Sequence, residues 1–277
     1  MLWSSASVAG KFGLQSSEPL TLFTVRFLFA GVLLLIISYF YYPRIKPIGK
    51  EWRQLIIFGL LNTALYLGIF IFALQEVAAG ITALALALNP LLISVFSSLA
   101  LKRKVGWKEW LSIAAGMVGV AIATYPLVIR GYATLWGIFL LIVSMLMYSL
   151  GAVYYSSIEW KLNRMVINGW QVLVAGIVLL PITLMTEGEA TTFDTKFWLS
   201  TFWLVVPVSI GAVQLWLRLL HTDAVRASLW LFLCPVFGFF YASILLNEPI
   251  TLYTLVGAVV VLISLYQGQK VTAGSKK

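Results

Sequence analysis

The sequence predicts an all-α polytopic membrane protein of about ten transmembrane helices, arranged as two inverted five-helix repeats with a truncated first helix. Three observations carry this reading: the composition, a series of apolar runs of bilayer length, and a self-similarity at a constant offset of 145 residues. The 277 residues are 61% hydrophobic and 10% charged, against roughly 25% charged in an ordinary soluble domain. A chain of this size folded in water needs polar side chains to cover its surface, and here there are too few. A soluble enzyme is thereby excluded.

A hydrocarbon core of about 30 Å takes a helix of about 20 mainly apolar residues. Nine such runs end in charge or turn residues, at about 19–42, 54–75, 80–101, 108–126, 134–155, 166–186, 197–220, 225–246 and 251–268. Ahead of them, Met1 to Leu14 is apolar except for Lys11, and at about 1.5 Å per residue it covers only about 21 Å. It reads as a shortened first span. A cleaved signal peptide is the competing reading, but a cationic start and a small-residue cleavage site are not evident.

The net charge of +9 does not point to nucleic acid, because a nucleic-acid binder concentrates its cations on one face or arm. Here they sit in short clusters between apolar runs, which is the positive-inside pattern. With both termini cytoplasmic, the inside segments hold Arg44, Lys46, Lys50, Arg53, Lys102, Arg103, Lys104, Lys108, Lys161, Arg164, Arg226, Lys270, Lys276 and Lys277. The outside segments hold Lys11, Arg130 and Lys196. Arg26 and Arg218 fall within spans near their ends, where snorkelling brings a cation to water. Outside connections carry Glu18, Glu76, Glu187, Glu189, Asp194 and Glu248.

At the 145-residue offset Ala30-Gly31 falls on Ala175-Gly176, Ala79 on Ala224, Pro90 on Pro235 and Ser98 on Ser243. The proline pair and the Ala-Gly pair weigh most, since apolar helices share leucines by chance. Residues 1–130 and 131–277 form the two units. Each has five spans, an odd number, so the copies enter the membrane from opposite sides, as in many secondary transporters. Trp3 aligns with Tyr148, which places the equivalent helix start about eleven residues before Met1. Either a start lies upstream or the first helix is short.

These residues resemble the drug/metabolite transporter superfamily, in its EamA-like branch of ten-helix carriers. The likeness rests on Trp3-Ser4-Ser5, Lys11-Phe12-Gly13-Leu14, Pro19, Arg26-Phe27-Leu28-Phe29-Ala30, and Ala78-Ala79-Gly80 leading into Asn89-Pro90. The second unit adds Ala224 through Ser228, Cys234-Pro235, Leu246-Asn247-Glu248-Pro249 and Gly257. One departure is Lys102-Arg103-Lys104, where the family often has a glutamate; Arg103 falls where Glu248 does in the second unit. The resemblance implies a carrier of small organic metabolites, amino acids or related solutes, moved outward across the plasma membrane by alternating access.

A solute stripped of water needs replacement hydrogen bonds at mid-depth. Pro90 and Pro235 lie near mid-span, and each ring pushes off the carbonyl four residues back, exposing those of Leu86 and Leu231. Such carbonyls either line a cavity or are satisfied by a neighbour. Asn62 and Asn89 lie at or near mid-span, Tyr66 one turn beyond Asn62, and Gln214 in the inner half of its helix; each either ties helices together or faces a cavity. Trp3, Tyr148, Tyr154, Trp170 and Gln171 are candidates for an aromatic and polar lining, with interfacial belts as the alternative. Arg26 meets an anionic group or pairs with Glu76 or Glu18. No Asp or Glu lies near the centre of a span, which disfavours proton-coupled export of lipophilic cations and favours a neutral or zwitterionic cargo.

Ser112 and Gly119 align with Gly257 and Ser264, seven apart on one face of the fifth and tenth spans, and read as packing or homodimer surfaces. Cys234 is the one cysteine and His221 the one histidine, leaving no basis for a disulfide, a metal site or a cofactor. There is no P-loop, no Gly-rich dinucleotide turn and no nucleophile elbow. The remaining function classes are a non-transporting scaffold, which has no use for an inverted repeat, and a lipid-acting membrane enzyme, for which His221 with Asp223 is the nearest approach to a reactive cluster.

Overall fold

The computed structural model describes residues 1–43, 46–102, 104–129, 131, 133–186, 191–246 and 251–274. Arg44, Arg103, Arg130, Glu187, Glu189, the Asn247-Glu248-Pro249 motif, Lys276 and Lys277 lie outside the described residues.

Among the described residues the chain runs as ten helical rods: α1 (Ser5–Gly13), α2 (Pro19–Tyr41), α3 (Lys50–Glu76), α4 (79–100), α5 (Trp107–Ile129), α6 (Leu135–Ser156), α7 (Arg164–Thr186), α8 (Thr195–Thr222), α9 (224–246) and α10 (Leu252–Gly274). Apart from these helices there is one isolated bridge, between Val77 and Ala133. Six rods, α2, α3, α6, α7, α8 and α9, are long and apolar enough to cross a bilayer; shorter apolar helices cover Leu86–Ala100 and Leu252–Gly268. The protein is a multi-pass membrane protein, and its outer surface fits that solvent. Phe29, Ile36, Leu111, Ile177, Leu184, Leu215 and Leu255 are all exposed, on rods whose backbone groups are satisfied internally.

Local chemistry sets the helix starts. Pro19 occupies the first turn of α2, where its missing N–H is harmless. Thr134, Asp194 and Asp223 cap α6, α8 and α9 by accepting from the N–H groups of Gly137, Phe197 and Arg226 at 2.9, 2.9 and 3.0 Å. Inside the rods the ladder is interrupted at four places. A wide π turn spans Leu60–Leu65 in α3, and another spans Leu204–Ala212 in α8 around Pro207. Tight 3₁₀ turns at Leu86–Leu88 and Trp230–Phe232 precede Pro90 and Pro235 in α4 and α9. Of the two fates open to the carbonyl that Pro90 frees, satisfaction by a neighbour is the one found. The chain tightens ahead of the ring, and the Leu86 carbonyl accepts from Asn89 Nδ2 at 3.0 Å.

The rods keep the 145-residue offset. The bounds of α2 and α7 differ by 145 at both ends, as do those of α5 and α10, and the π and 3₁₀ turns of the two halves match to within two residues. Between helices in lipid there is no hydrophobic driving force, so close backbone approach and hydrogen bonds do the work. Gly31 sits against Leu173, Gly176 against Leu28, and Gly169 against Leu34 and Leu35. Residue numbers thus rise on α2 as they fall on α7, and the two rods are antiparallel. In α5 and α10, Gly119 meets the backbone of Gly257 and Ser112 Oγ donates to the Ser264 carbonyl. The small-residue faces of these two helices are occupied by each other.

Candidate functional site

Where α2, α3, α6, α7 and α8 converge, the core contains a cavity with about 40 Å³ open to the centres of water molecules, room for a few waters. Its polar wall comes from the two π turns and the two helices between them. On α7, Gln171 Oε1 accepts from Thr63 Oγ1 at 2.8 Å and from Asn62 Nδ2 at 3.1 Å, both in the π turn of α3. Gln171 Nε2 donates to Asn168 Oδ1 at 2.9 Å, and Asn168 Nδ2 donates to the Ser209 carbonyl at 2.8 Å, in the π turn of α8. Arg26 Nε on α2 donates to Ser209 Oγ at 3.0 Å. One continuous chain of hydrogen bonds therefore joins both π turns across the cavity. π turns widen the backbone by one residue and re-aim the side chains they carry, which is why they recur at functional sites. Arg26 and Gln171 are themselves 145 residues apart, so equivalent positions of the two halves reach across to the opposite half's π turn.

The apolar wall is aromatic. Trp3 packs edge-on against Tyr148 and Trp216, with ring centres 5.9 and 5.6 Å apart, and Tyr66 leans on Tyr148 at 4.8 Å. Phe23 and Phe27 stack at 5.6 Å and lie under the Arg26 guanidinium at 5.0 and 5.5 Å.

Five of the eleven residues singled out from the sequence, Trp3, Asn62, Tyr66, Tyr148 and Gln171, line this cavity. The other six do not, and of these Tyr154 is half-buried near the end of α6. Asn89 is fully buried but spent within its own surroundings: its amide donates to the Leu86 carbonyl and contacts Met145 Sδ, and its Oδ1 accepts from Ser149 at 2.8 Å. Pro90 is buried beside it, and its carbonyl accepts from Ser94. Pro235 packs between α9, α5 and α10. Trp170 stands edge-on to Trp52, 4.8 Å away. Gln214 is half-buried in α8, and its Nε2 has no hydrogen-bond partner among the described residues.

Of the three expectations for Arg26, snorkelling to water, pairing with Glu18 or Glu76, and meeting an anionic group, the first two do not hold: it is 3% exposed and forms an ion pair with neither glutamate. Glu76 instead accepts from Thr134 Oγ1 at 2.8 Å. The reason is directional: Arg26 lies on the face of α2 that carries Phe23, Phe27 and Ala30 into the core. Arg218 is exposed, as snorkelling requires. Sequence reading also missed Thr63, Asn168 and Ser209. The available signal was the offset, which sets Arg26 opposite Gln171.

Outside the rods, Asp194 binds Phe197 N–H and accepts from Ser16 Oγ at 2.8 Å, and these bonds hold its carboxyl below the ordinary carboxylate range. Asp223 serves as the α9 cap, and among the described residues no three His, Cys, Asp or Glu groups could hold a metal ion.

Comparison with known proteins places this geometry in context. The model of the EamA-like transporter family matches residues 1–125 and 135–267. An uncharacterized transporter of Synechocystis sp., sll0355, is 23% identical over 286 residues, covering 96% of this chain and 86% of its own length. Protein PecM of Dickeya dadantii is 24% identical over 281 residues, covering 100% and 91%. The uncharacterized inner membrane transporter YedA of Escherichia coli (strain K12) is 31% identical over 193 residues, covering 69% and 61%. One solved crystal structure overlays 100% of this chain and 95% of its own with a TM-score of 0.81 at 14% identity, which shows a shared fold.

Proposed function

The chain belongs to the EamA-like transporter family, and from that premise we propose that this membrane transporter is a secondary carrier of small organic metabolites working by alternating access. Two inverted five-helix halves, residues 1–130 and 131–277, enclose the cavity. The matching element bounds and the antiparallel α2–α7 and α5–α10 pairs support this arrangement. Rocking of one half against the other opens the cavity to alternate sides. The cavity as it stands is too small for a metabolite, so cargo enters only as the walls part.

The observation that carries the proposal is the hydrogen-bonded chain from Thr63 and Asn62 through Gln171, Asn168 and Ser209 to Arg26. It draws on both halves at equivalent positions and couples the two π turns. Trp3, Asn62, Tyr66, Tyr148 and Gln171 contact cargo; Asn89, Pro90, Trp170, Gln214 and Pro235 shape the helices around it. Among the described residues no acid lines the cavity, which disfavours exchange of a proton for a lipophilic cation. Amino acids or related neutral or zwitterionic solutes, exported across the plasma (inner) membrane, are the cargo and direction that the family resemblance implies. Both termini face the cytoplasm in this scheme, and no cofactor or catalytic step enters. A homodimer through the fifth and tenth helices would use their lipid-facing side, with Leu111, Val118, Leu255 and Leu262 exposed there.

The test is a metabolite comparison of medium from cells with and without the gene, followed by flux of each accumulating solute into liposomes holding the purified protein. Saturable flux above that of empty liposomes is expected. Equal permeation with and without protein for every accumulating solute overturns the proposal.

A further inference from the structure

Resting on the carrier reading, we propose that Arg26 is the anion-binding residue of the cavity and that the cargo carries a single carboxylate. Arg26 is 97% buried, since its relative exposure is 3%. Its Nε is fixed by Ser209 and its plane by the rings of Phe23 and Phe27. The two terminal nitrogens of the fork, the part that matches a carboxylate edge with two parallel hydrogen bonds, have no partner among the described residues. No carboxylate of the chain forms an ion pair with it among those residues. Glu18 is two turns away along α2, and Glu76 is engaged by Thr134.

An unmatched guanidinium inside a membrane protein is among the least favourable arrangements available, and such residues mark the places where a charged partner arrives. The cavity wall carries two more polar atoms without partners among the described residues: the Tyr148 hydroxyl, which donates or accepts, and Asn62 Oδ1, which only accepts. That Asn62 acceptor and the faces of Tyr66 and Trp3 suit an ammonium group, as on an amino acid.

The repeat supplies an internal control. At the position equivalent to Arg26, Gln171 has its oxygen and nitrogen both engaged by the chain itself. Only one half thus offers an open charged fork. Arg26 is also the one cation among the described residues lining the cavity, so it balances one negative charge and leaves a phosphate dianion uncompensated.

Thermal unfolding and tryptophan fluorescence of the purified full chain, titrated with matched pairs of acids and their amides, test the proposal: acetate with acetamide, alanine with alaninamide, phenylalanine with phenylalaninamide, and inorganic phosphate as a second anion. In at least one pair the acid is expected to raise the unfolding temperature and its amide not to, with phosphate inert. R26Q should weaken that acid about 30-fold or more. R26K, which keeps the charge without the planar fork, should retain part of the effect and guards against misfolding of R26Q. Equal shifts from acid and amide, no shift from any acid, a matching shift from phosphate, or an undiminished shift in R26Q or a full one in R26K overturns it. Flux of a solute with no acid group would remove this proposal and leave the carrier reading intact; acid binding without flux of the bound acid would do the reverse.

Discussion

Replacing Gln171 with leucine should damage the protein far more than the same change at Gln214. In wild type, Gln171 accepts from Thr63 and Asn62 and donates to Asn168. Leucine fills a similar volume but leaves two donors and one acceptor without their partner at the cavity wall. Interhelical hydrogen bonds in membrane proteins contribute about 0.6 kcal/mol on average and about 1.7 at most. Three of them together put the loss near 2–5 kcal/mol. Gln214 Nε2 has no partner to lose, so Q214L should stay within about 1 kcal/mol of wild type or become slightly more stable. Reversible unfolding in mixed micelles, followed by tryptophan fluorescence, measures both. If Q171L unfolds within about 0.5 kcal/mol of wild type, the hydrogen-bond chain does not hold the two π turns together and the argument built on it fails.

A Cβ at position 257 would collide with the Gly119 carbonyl and with Ala123, so G257A should force α5 and α10 apart and lower stability by about 1–3 kcal/mol in the same unfolding assay. Asn89 is fully hydrogen-bonded away from the cavity, so N89L should reduce stability by about 1–3 kcal/mol while leaving half-saturation of transport unchanged; a raised half-saturation at normal stability would put Asn89 back in the binding site. The Asp194 carboxyl is held below its ordinary range by Phe197 N–H and Ser16, so its stabilising contribution is present above that range and disappears as pH falls through the lowered value. Protection of the amides at the start of α8, measured against their intrinsic exchange rates, should therefore fall on acidification through the lowered value, and D194A should show that loss of protection already at neutral pH.

Span positions were legible because a lipid-exposed helix must satisfy its own backbone and stay apolar for the whole crossing. The run read at 166–186 is Arg164–Thr186, and that at 108–126 is Trp107–Ile129. The offset was legible too, through Pro90 and Pro235, because tight 3₁₀ turns precede the two prolines at nearly equivalent positions of α4 and α9. What could not be read was direction around the helix. A span that is apolar on every side gives no amphipathic pattern to say which way a polar residue faces. Asn62 and Asn89 therefore looked alike, although one lines the cavity and the other bonds to its own turn. Arg26 shows the same limit: its sequence position fits a path to water as well as a buried role, and only the fold shows that it faces the core. The π turns have no residue signature beyond Pro207.

Whether the cavity opens to both sides is the most direct question, and thiol labelling answers it. Val213 lines the cavity without joining the hydrogen-bond chain, and Cys234 is the sole native cysteine. In a C234A background, V213C in oriented liposomes would be exposed to a membrane-impermeant maleimide from the outside or from the lumen. Labelling from each side in turn is expected of two halves that rock about a shared cavity. Labelling from one side only, or from neither, contradicts alternating access.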